Sequence, residues 1–247
     1  MEVQFIDHIK KNKLFDSSHN LLLAYSAGVD SSVLFNLLLS CKYKFSVAHC
    51  NYKLRGKHSD YDERFIIEKA KINKVKYHTK EFDLSKINFK KAQSVQMKCR
   101  QIRYKWFNEL SKKYEYDFIL TAHHLNDSIE TFFINIFRGT GIEGLTGIPL
   151  KRDKFIRPLL FATKNLILEY AKKYDIDYRE DKSNESKSYK RNKIRSDLIP
   201  IISGISENYE EIFSKSFKNL KNLSDTYKNL VKLEIQKIMV QKFDVVY

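Results

Sequence analysis

The chain has 247 residues, 43% of them hydrophobic, which suits one large domain with or without a small appendage and excludes disorder throughout. Its 45 lysines and arginines exceed its 30 aspartates and glutamates, and the resulting charge of +15 is typical of proteins that bind nucleic acid. A lysine-rich composition without such a partner is the alternative. With no apolar stretch long enough to span a membrane and no signal-peptide core, we expect a cytoplasmic protein with no membrane partner.

Short apolar runs alternate with longer amphipathic segments through the first 180 residues. Four runs are typical of buried strands, namely residues 21–25, 45–49, 75–79 and 118–122. Between them apolar residues recur at helical spacing, around Val33–Leu38, Val95–Leu110 and Ile129–Ile136. This alternation predicts an α/β fold, a doubly wound and mostly parallel sheet of Rossmann-like type, with ligands bound at the carboxyl ends of the strands.

The first predicted strand leads into the segment SAGVDSS, residues 26–32, followed by a helix expected to begin near Ser31 or Ser32. Unpaired N–H groups and the helix dipole favour an anion there, the three serines add hydroxyl donors, and Gly28 permits close approach of the backbone. Asp30 would repel phosphate unless Mg²⁺ lies between them. The segment therefore predicts a phosphate site, with simple capping of the helix as the alternative.

Polar segments also follow later strands: HCNYKLRG, HHLNDSIET and EDKSN. In HHLNDSIET, Asp127 and Glu130 are three residues apart and would share one helical face. His123 and His124 lie at the strand end, where a donor to a phosphoryl or carbonyl oxygen is useful, although buried structural histidines are the alternative. Four of the seven glycines fall within residues 139–147, which favours a ligand-contacting loop over a flexible turn.

The pattern changes near residue 190. A basic helix ending near Pro200 carries Lys190, Arg191, Lys193 and Arg195, which we interpret as a grip on an RNA backbone, with a solvated surface as the alternative. Residues 206–245 predict one or two long helices. We therefore expect a catalytic domain over 1–200 and a helical appendage over 201–247, which either packs or forms a homodimer, or faces RNA.

Together these segments resemble a known family. SAGVDSS resembles the PP-loop of the N-type ATP pyrophosphatases, which have the adenine nucleotide α-hydrolase fold. The order and spacing of four further segments over residues 18–202 resemble tRNA(Ile)-lysidine synthetase: AHCNYKLRGKHSDYDERFI, TAHHLNDSIETFFINIFRGTGIEGLTGIP, RPLL with Lys164, and EDKSNESKSYKRNKIRSDLIP. The resemblance implies a ligase that uses ATP and Mg²⁺ to attach free L-lysine to carbon 2 of the wobble cytidine in a CAU anticodon. An adenylated base would be the intermediate, and decoding would change from AUG to AUA.

The resemblance also implies roles for individual residues. The implied catalytic residues are Asp30, Asp127, Arg100, Arg103, His123 and His124, with Mg²⁺ on Asp30 and Asp127. The implied ATP contacts are Ser26, Ala27, Gly28, Val29, Asp30, Ser31, Ser32, His49, Asn51, Arg138 and Gly139. The implied lysine contacts are Asp127, Glu130 and Thr131. The implied tRNA contacts are Arg55, Lys164, Asn184, Lys190, Arg191, Asn192 and Arg195.

The chain departs from the family pattern at Ala27, where the loop usually has a second glycine. We expect retained activity, provided that Ala27 keeps a negative φ. Many relatives also carry extra C-terminal domains, which residues 203–247 do not supply. Two alternatives stay open: a PP-loop tRNA thiolase, disfavoured because Cys41, Cys50 and Cys99 form no CxxC pair, and a catalytically inactive nucleotide-sensing RNA-binding protein.

Overall fold

The structure, a computed structural model, describes residues 1–84, 94–179 and 190–243. The chain forms two compact units, Met1–His124 with Leu150–Ser183, and Leu125–Pro149 with Asn184–Tyr247. The units are interleaved along the chain, and the functional division at residue 200 stays a prediction. Among the described helices, none is both long and apolar enough to cross a membrane.

The first unit is built on a mostly parallel sheet, as predicted. Within the described residues, the sheet has the strand order β3-β2-β1-β4-β6-β5. The strands are β1 (Leu21–Ala24), β2 (Phe45–Asn51), β3 (Lys76–Glu81), β4 (Phe118–Leu120), β5 (Lys151–Arg152) and β6 (Phe155–Ile156). In register, Leu21 pairs with Phe45 of β2 and Phe118 of β4. The hairpin of β5 and β6 adds the antiparallel pair, which the sequence did not predict.

Helices cover both faces of this sheet. They are α1 (Glu2–Lys11), α2 (Val29–Ser40), α3 (Lys57–Ile72), α4 (Val95–Lys113) and α7 (Lys164–Lys173). Because successive strand residues point to opposite faces, Leu23 and Leu22 belong to different cores. Leu23 packs in the cluster that includes Leu34, whereas Leu22 packs with Trp106 of α4. The doubly wound arrangement is therefore confirmed.

The second unit is helical. Its elements are α5 (Leu125–Ile136), α6 (Ile142–Leu145), α8 (Lys190–Lys193), a π-helical segment (Ile194–Leu198), α9 (Ile199–Ile205) and α10 (Tyr209–Phe243). Phe132 of α5 packs against Phe213 and Phe217 of α10, with ring centroids 5.5 and 5.8 Å apart. Ile129 is fully buried in this cluster, but Ile136 is 44% exposed although its spacing places it on the apolar face.

Two predicted helix boundaries were wrong. Helix α2 begins at Val29 rather than near Ser31 or Ser32, because extended Gly28 forms the cap and its carbonyl accepts from the Ser32 N–H at 3.0 Å. The basic helix does not end near Pro200. Pro200 lies in the first turn of α9, directly after the π-helical segment, where its fixed φ suits a helix.

Candidate functional site

The loop at residues 26–32 has a left-handed backbone at Ala27. Its φ is +67°, so the expectation of a negative φ was wrong. This conformation is unfavourable for an alanine by about 1–2 kcal/mol, so other interactions of the folded protein must stabilise it. The carbonyl of Ala27 accepts hydrogen bonds from the Arg179 N–H at 2.9 Å and from Ser32 Oγ at 3.3 Å, and Ala27 is fully buried. The strained residue is therefore held from two sides.

The serines of the loop divide into one exposed and two buried residues. Ser31 Oγ donates to the Gly28 carbonyl at 2.9 Å, and Ser32 Oγ lies 3.2 Å from the Tyr25 hydroxyl. Ser31 and Ser32 are 3% and 1% exposed, so their hydroxyls shape the loop from inside. Ser26 is exposed. Contacts between ATP and the hydroxyls of Ser31 and Ser32 therefore stay predictions. The N–H groups of the first helical turn, including that of Val29, are suited to binding an anion.

Asp30 lies in the first turn of α2 and forms an ion pair within this unit. Its Oδ1 is 2.5 Å from Lys164 Nζ and 3.8 Å from His124 Nε2. Both contacts reach Oδ1, so Oδ2 is the oxygen that could ligate a hard cation such as Mg²⁺. The resemblance implies that Lys164 contacts tRNA. The structure instead places its ammonium beside the loop, and contact with tRNA stays a prediction.

The carboxyl end of β2 supplies His49 and Asn51. His49 Nδ1 lies 3.0 Å from the Tyr25 carbonyl, and burial lowers the pKa of this histidine. A neutral ring that donates through Nδ1 keeps Nε2 as an acceptor. The Asn51 amide donates to Glu63 at 2.8 Å and to Asp60 at 3.2 Å, so it is committed to helix α3. A contact of Asn51 with ATP stays a prediction.

Asp60 and Glu63 belong to the one group of three metal-capable side chains found among the described residues, completed by Glu81. Lys53 Nζ pairs with Asp60 and lies 2.8 Å from Glu81. Of the acids paired with Lys53, Asp60 is partly exposed and Glu81 is exposed. The group is therefore best described as a surface ion-pair network around Lys53.

Arg100 and Arg103 share one turn of α4 but bind different tyrosines. Arg100 Nη2 donates to the Tyr104 hydroxyl at 3.0 Å, and Arg103 Nε donates to the Tyr52 hydroxyl at 3.3 Å. Both arginines are exposed. Their tyrosine partners hold them in defined orientations, which suits a bidentate contact with phosphate.

Sequence reasoning missed Arg157, the first residue of RPLL. It follows β6 directly and is only 3% exposed. Burial lowers its pKa, and a hydrogen bond with Tyr104 opposes that shift. Arg157 and Arg100 therefore both contact Tyr104. The signal was a charged residue directly after an apolar run at the edge where ligands bind.

The second unit brings together two sets of residues that the sequence had assigned to different ligands. Glu130 is 2% exposed and accepts from Arg191 Nε and Arg195 Nε, each at 2.6 Å. Asp127 Oδ1 lies 2.9 Å from Arg191 Nη2. Asp127 and Glu130 do share one face of α5, as predicted. The two arginines are paired with the predicted lysine-binding acids, and their contacts with tRNA stay predictions.

The remaining candidates occupy varied environments. Thr131 Oγ1 donates to the Asp127 carbonyl at 2.7 Å, and His123 Nδ1 lies 2.9 Å from Thr121 Oγ1. Lys190 is exposed, Asn192 is half-buried and Arg55 pairs with Asp62, and the contacts of all three with tRNA stay predictions. Asn184 lies outside the described residues, as does the segment EDKSN. Asp30 and Asp127 belong to different units, so a Mg²⁺ ion shared by them stays a prediction.

The glycines of the 139–147 segment have two different functions. A Cβ at Gly144 would meet Thr140 Oγ1 at 1.9 Å, and one at Gly147, whose φ is +75°, would meet Ser128 Cβ at 3.1 Å. These two glycines are required by packing. Gly139 has a φ of +68° and open space around it, next to exposed Arg138. Gly141 has open space as well, so residues 139–141 are the end of the segment suited to ligand contact.

Comparison of the sequence with known families identifies relatives over most of its length. The profile of a family described as the PP-loop domain matches residues 1–202. The tRNA(Ile)-lysidine synthase of Chlorobaculum tepidum is 33% identical over 242 residues, covering 96% of this chain and 72% of that protein. The synthase of Porphyromonas gingivalis is 36% identical over 221 residues, covering 89% of this chain and 49% of that protein. The chain thus spans about half the length of several curated relatives that it matches.

Comparison with solved structures identifies the same fold in proteins of other activities. A U34-tRNA thiolase from Methanococcus maripaludis, solved with its 4Fe-4S cluster, has a TM-score of 0.72 and 18% identity, and the match covers 88% of this chain and 78% of that chain. An ammonia-dependent NAD synthetase from Campylobacter jejuni has a TM-score of 0.51 and 16% identity, with 90% of each chain covered. At these identities the likeness shows the fold alone.

Proposed function

The chain belongs to the PP-loop family and, within it, to the tRNA(Ile)-lysidine synthases, and we propose that it ligates free L-lysine to carbon 2 of the wobble cytidine in the CAU anticodon of an isoleucine tRNA. The observation that carries the proposal is the Chlorobaculum match, which spans 96% of the chain and therefore residues of both units. ATP is consumed, and AMP and pyrophosphate are released. A cytoplasmic location and a homodimer belong to the same proposal.

The first half-reaction forms a phosphate ester on the base. The carbonyl oxygen at carbon 2 of the cytosine attacks the α-phosphate of ATP, and the bond to pyrophosphate breaks. The N–H groups at the start of α2 and the Lys164 ammonium bind phosphate oxygens as charge moves onto the leaving group. Asp30 would hold Mg²⁺, which supplies further charge neutralisation at the phosphates when bound, and the assignment of Asp127 to the same ion stays a prediction.

The second half-reaction forms the C–N bond. The amine of lysine, neutral when it attacks, adds to carbon 2, and AMP leaves with the ester oxygen. Asp127 and Glu130 supply two carboxylates for binding the lysine molecule, but Arg191 and Arg195 already pair with them. Binding of a cationic substrate there requires the two arginines to leave the acids. Phosphates of the tRNA backbone could bind the arginines instead.

The test is incorporation of radiolabelled lysine into an isoleucine tRNA transcript with a CAU anticodon, in the presence of ATP and Mg²⁺. We expect acid-insoluble label that depends on ATP, and none with a methionine tRNA of the same anticodon. A protein that binds ATP and tRNA tightly but incorporates no lysine would contradict the proposal and favour the binding-protein alternative. Incorporation of sulfur from a thiol donor would favour the thiolase alternative.

A further inference from the structure

We propose that Asp62 is a positioning residue for the nucleotide loop, acting through Arg179 to hold Ala27 in its left-handed conformation. The proposal rests on the assignment of residues 26–32 to ATP binding. Asp62 lies on α3, within the segment AHCNYKLRGKHSDYDERFI that carries the resemblance, but neither the reaction nor the resemblance assigns this residue a role. We call the set of Asp62, Arg179 and Ala27 the loop clamp.

The first part of the clamp is a buried carboxylate between two guanidinium groups. Asp62 is 5% exposed. Its Oδ1 accepts from Arg179 Nε at 2.8 Å, and its Oδ2 accepts from Arg55 Nη2 at 2.6 Å. Both arginine side chains are about one third exposed, at 37% and 34%. A carboxylate that uses both oxygens on two cations fixes both side chains more firmly than a single surface pair does.

The second part of the clamp connects this carboxylate to the loop. The same Arg179 that donates through its side chain to Asp62 donates through its backbone N–H to the Ala27 carbonyl at 2.9 Å. Fixing the Arg179 side chain therefore fixes the peptide that holds Ala27. The Arg179 guanidinium also lies 5.9 Å from the centre of the Tyr61 ring, a contact that limits its rotation.

Ala27 is the residue that needs such support. A non-glycine residue prefers a negative φ, and without external bonds the loop would relax toward it. Relaxation at Ala27 would rotate the following peptide and misdirect the N–H groups at the start of α2, where phosphate is expected to bind. A glycine at this position would adopt the same φ at little cost and would need the clamp less.

The first experiment compares Asp62→Asn with the wild type and with Glu68→Gln, a control that removes an exposed carboxylate from the same helix. Equilibrium binding of ATP and Mg²⁺ is measured by calorimetry, together with kcat for lysine incorporation at saturating ATP. We expect Asp62→Asn to raise the Kd for ATP about tenfold with kcat preserved, since a positioning defect acts on loop conformation. Asp62→Glu, which keeps the charge, should recover part of the affinity.

The second experiment tests the connection to Ala27. The Kd for ATP is measured in the wild type, in Asp62→Asn, in Ala27→Gly and in the double variant. The ratio of Kd with and without Asp62→Asn is then compared between the two residues at position 27. The proposal expects a smaller ratio when residue 27 is glycine. Amide hydrogen exchange of residues 26–30, which needs no ligand, should be faster in Asp62→Asn than in Glu68→Gln. Thermal unfolding of each variant establishes that the protein compared is folded, and Arg179→Ala replaces Asp62→Asn if the latter does not fold.

The outcomes separate this inference from the proposed function. Equal Kd values and equal loop exchange in the wild type and Asp62→Asn would overturn the clamp while leaving ATP use intact. An equal Kd ratio in both backgrounds would also overturn it. A wild-type protein that binds no ATP would contradict the proposed function, and the clamp with it. Lowered thermal stability with unchanged Kd would show that Asp62 is only structural.

Discussion

At the scale of single residues, the site is defined by how charges are compensated. Asp30 faces a lysine and a histidine, Glu130 faces two arginines, and Asp62 faces two more. A carboxylate near phosphate is unfavourable unless cations accompany it, and a buried carboxylate is unfavourable unless it is paired. Each of these acids meets that requirement within its own unit. What differs is exposure, because Asp30 is the most accessible of the three.

Replacing Asp30 with asparagine tests its assignment as a metal ligand. The variant keeps the size of the side chain but removes the charge that would bind Mg²⁺ and that pairs with Lys164. We expect AMP formation to fall about 100-fold or more, the range found when a single electrostatic contact to a reacting group is lost. Asp7→Asn, an exposed change on α1, is the control. Near-normal turnover with an intact fold would remove Asp30 from the metal role.

At the scale of elements, α5 and α10 form the core of the second unit. Three aromatic residues of these helices, Phe132, Phe213 and Phe217, pack on Leu125 and Ile129. This packing fixes α5, which carries Asp127 and Glu130. The apolar spacing of α10 was predicted from sequence, and its first turns do pack. Farther along, Leu223, Leu230 and Ile238 are more than half exposed, which local periodicity could not reveal.

Removing one aromatic ring from this core should destabilise the second unit. Phe217 is 9% exposed, and Phe217→Ala should lower the free energy of unfolding by about 3 kcal/mol through lost burial and a residual cavity. Tyr227→Ala on the same helix, where the ring is 62% exposed, is the matched control. Urea unfolding followed by circular dichroism measures both. A Phe217→Ala curve that overlays the Tyr227→Ala curve would contradict the packing.

At the scale of the whole molecule, the charge of +15 is the dominant property. Arg55, Arg179, Arg191 and Arg195 all pair with acids, and such pairs leave this net excess unchanged. Exposed lysines and the exposed arginines of α4 therefore carry much of the excess. A polyanion such as tRNA would release counterions on binding to these groups, so its affinity should depend on salt far more than that of a small ligand.

The salt dependence of tRNA binding measures this contribution. Between 50 and 200 mM KCl, we expect the affinity for tRNA to fall about 100-fold, corresponding to a few phosphate contacts. Filter binding or fluorescence anisotropy gives the slope of log Kd against log salt. A phosphate-free nucleoside, adenosine, is the control ligand and should show little change. A flat curve for tRNA would indicate that the basic composition has no role in binding.

The sequence by itself determined the parallel sheet, most helices and the motifs that identify the family. These features are local, since apolar spacing selects strand or helix within a few turns and small residues mark the loops between them. For the same reason it was predictable that Asp127 and Glu130 share one helical face and that Asp30 closely follows the first strand. Their partners were not, because neighbours along the chain do not determine which distant cation reaches a given carboxylate.

Only the tertiary structure decided those partners and the backbone of Ala27. Lys164 reaches Asp30 across 134 residues, and Arg179 reaches Asp62 across 117. Alanine alone prefers a negative φ, so the local rule predicted the wrong sign. The fold reverses that preference because Arg179 and Ser32 bond the Ala27 carbonyl, and the favourable energy of those bonds exists only once the separate segments have packed together.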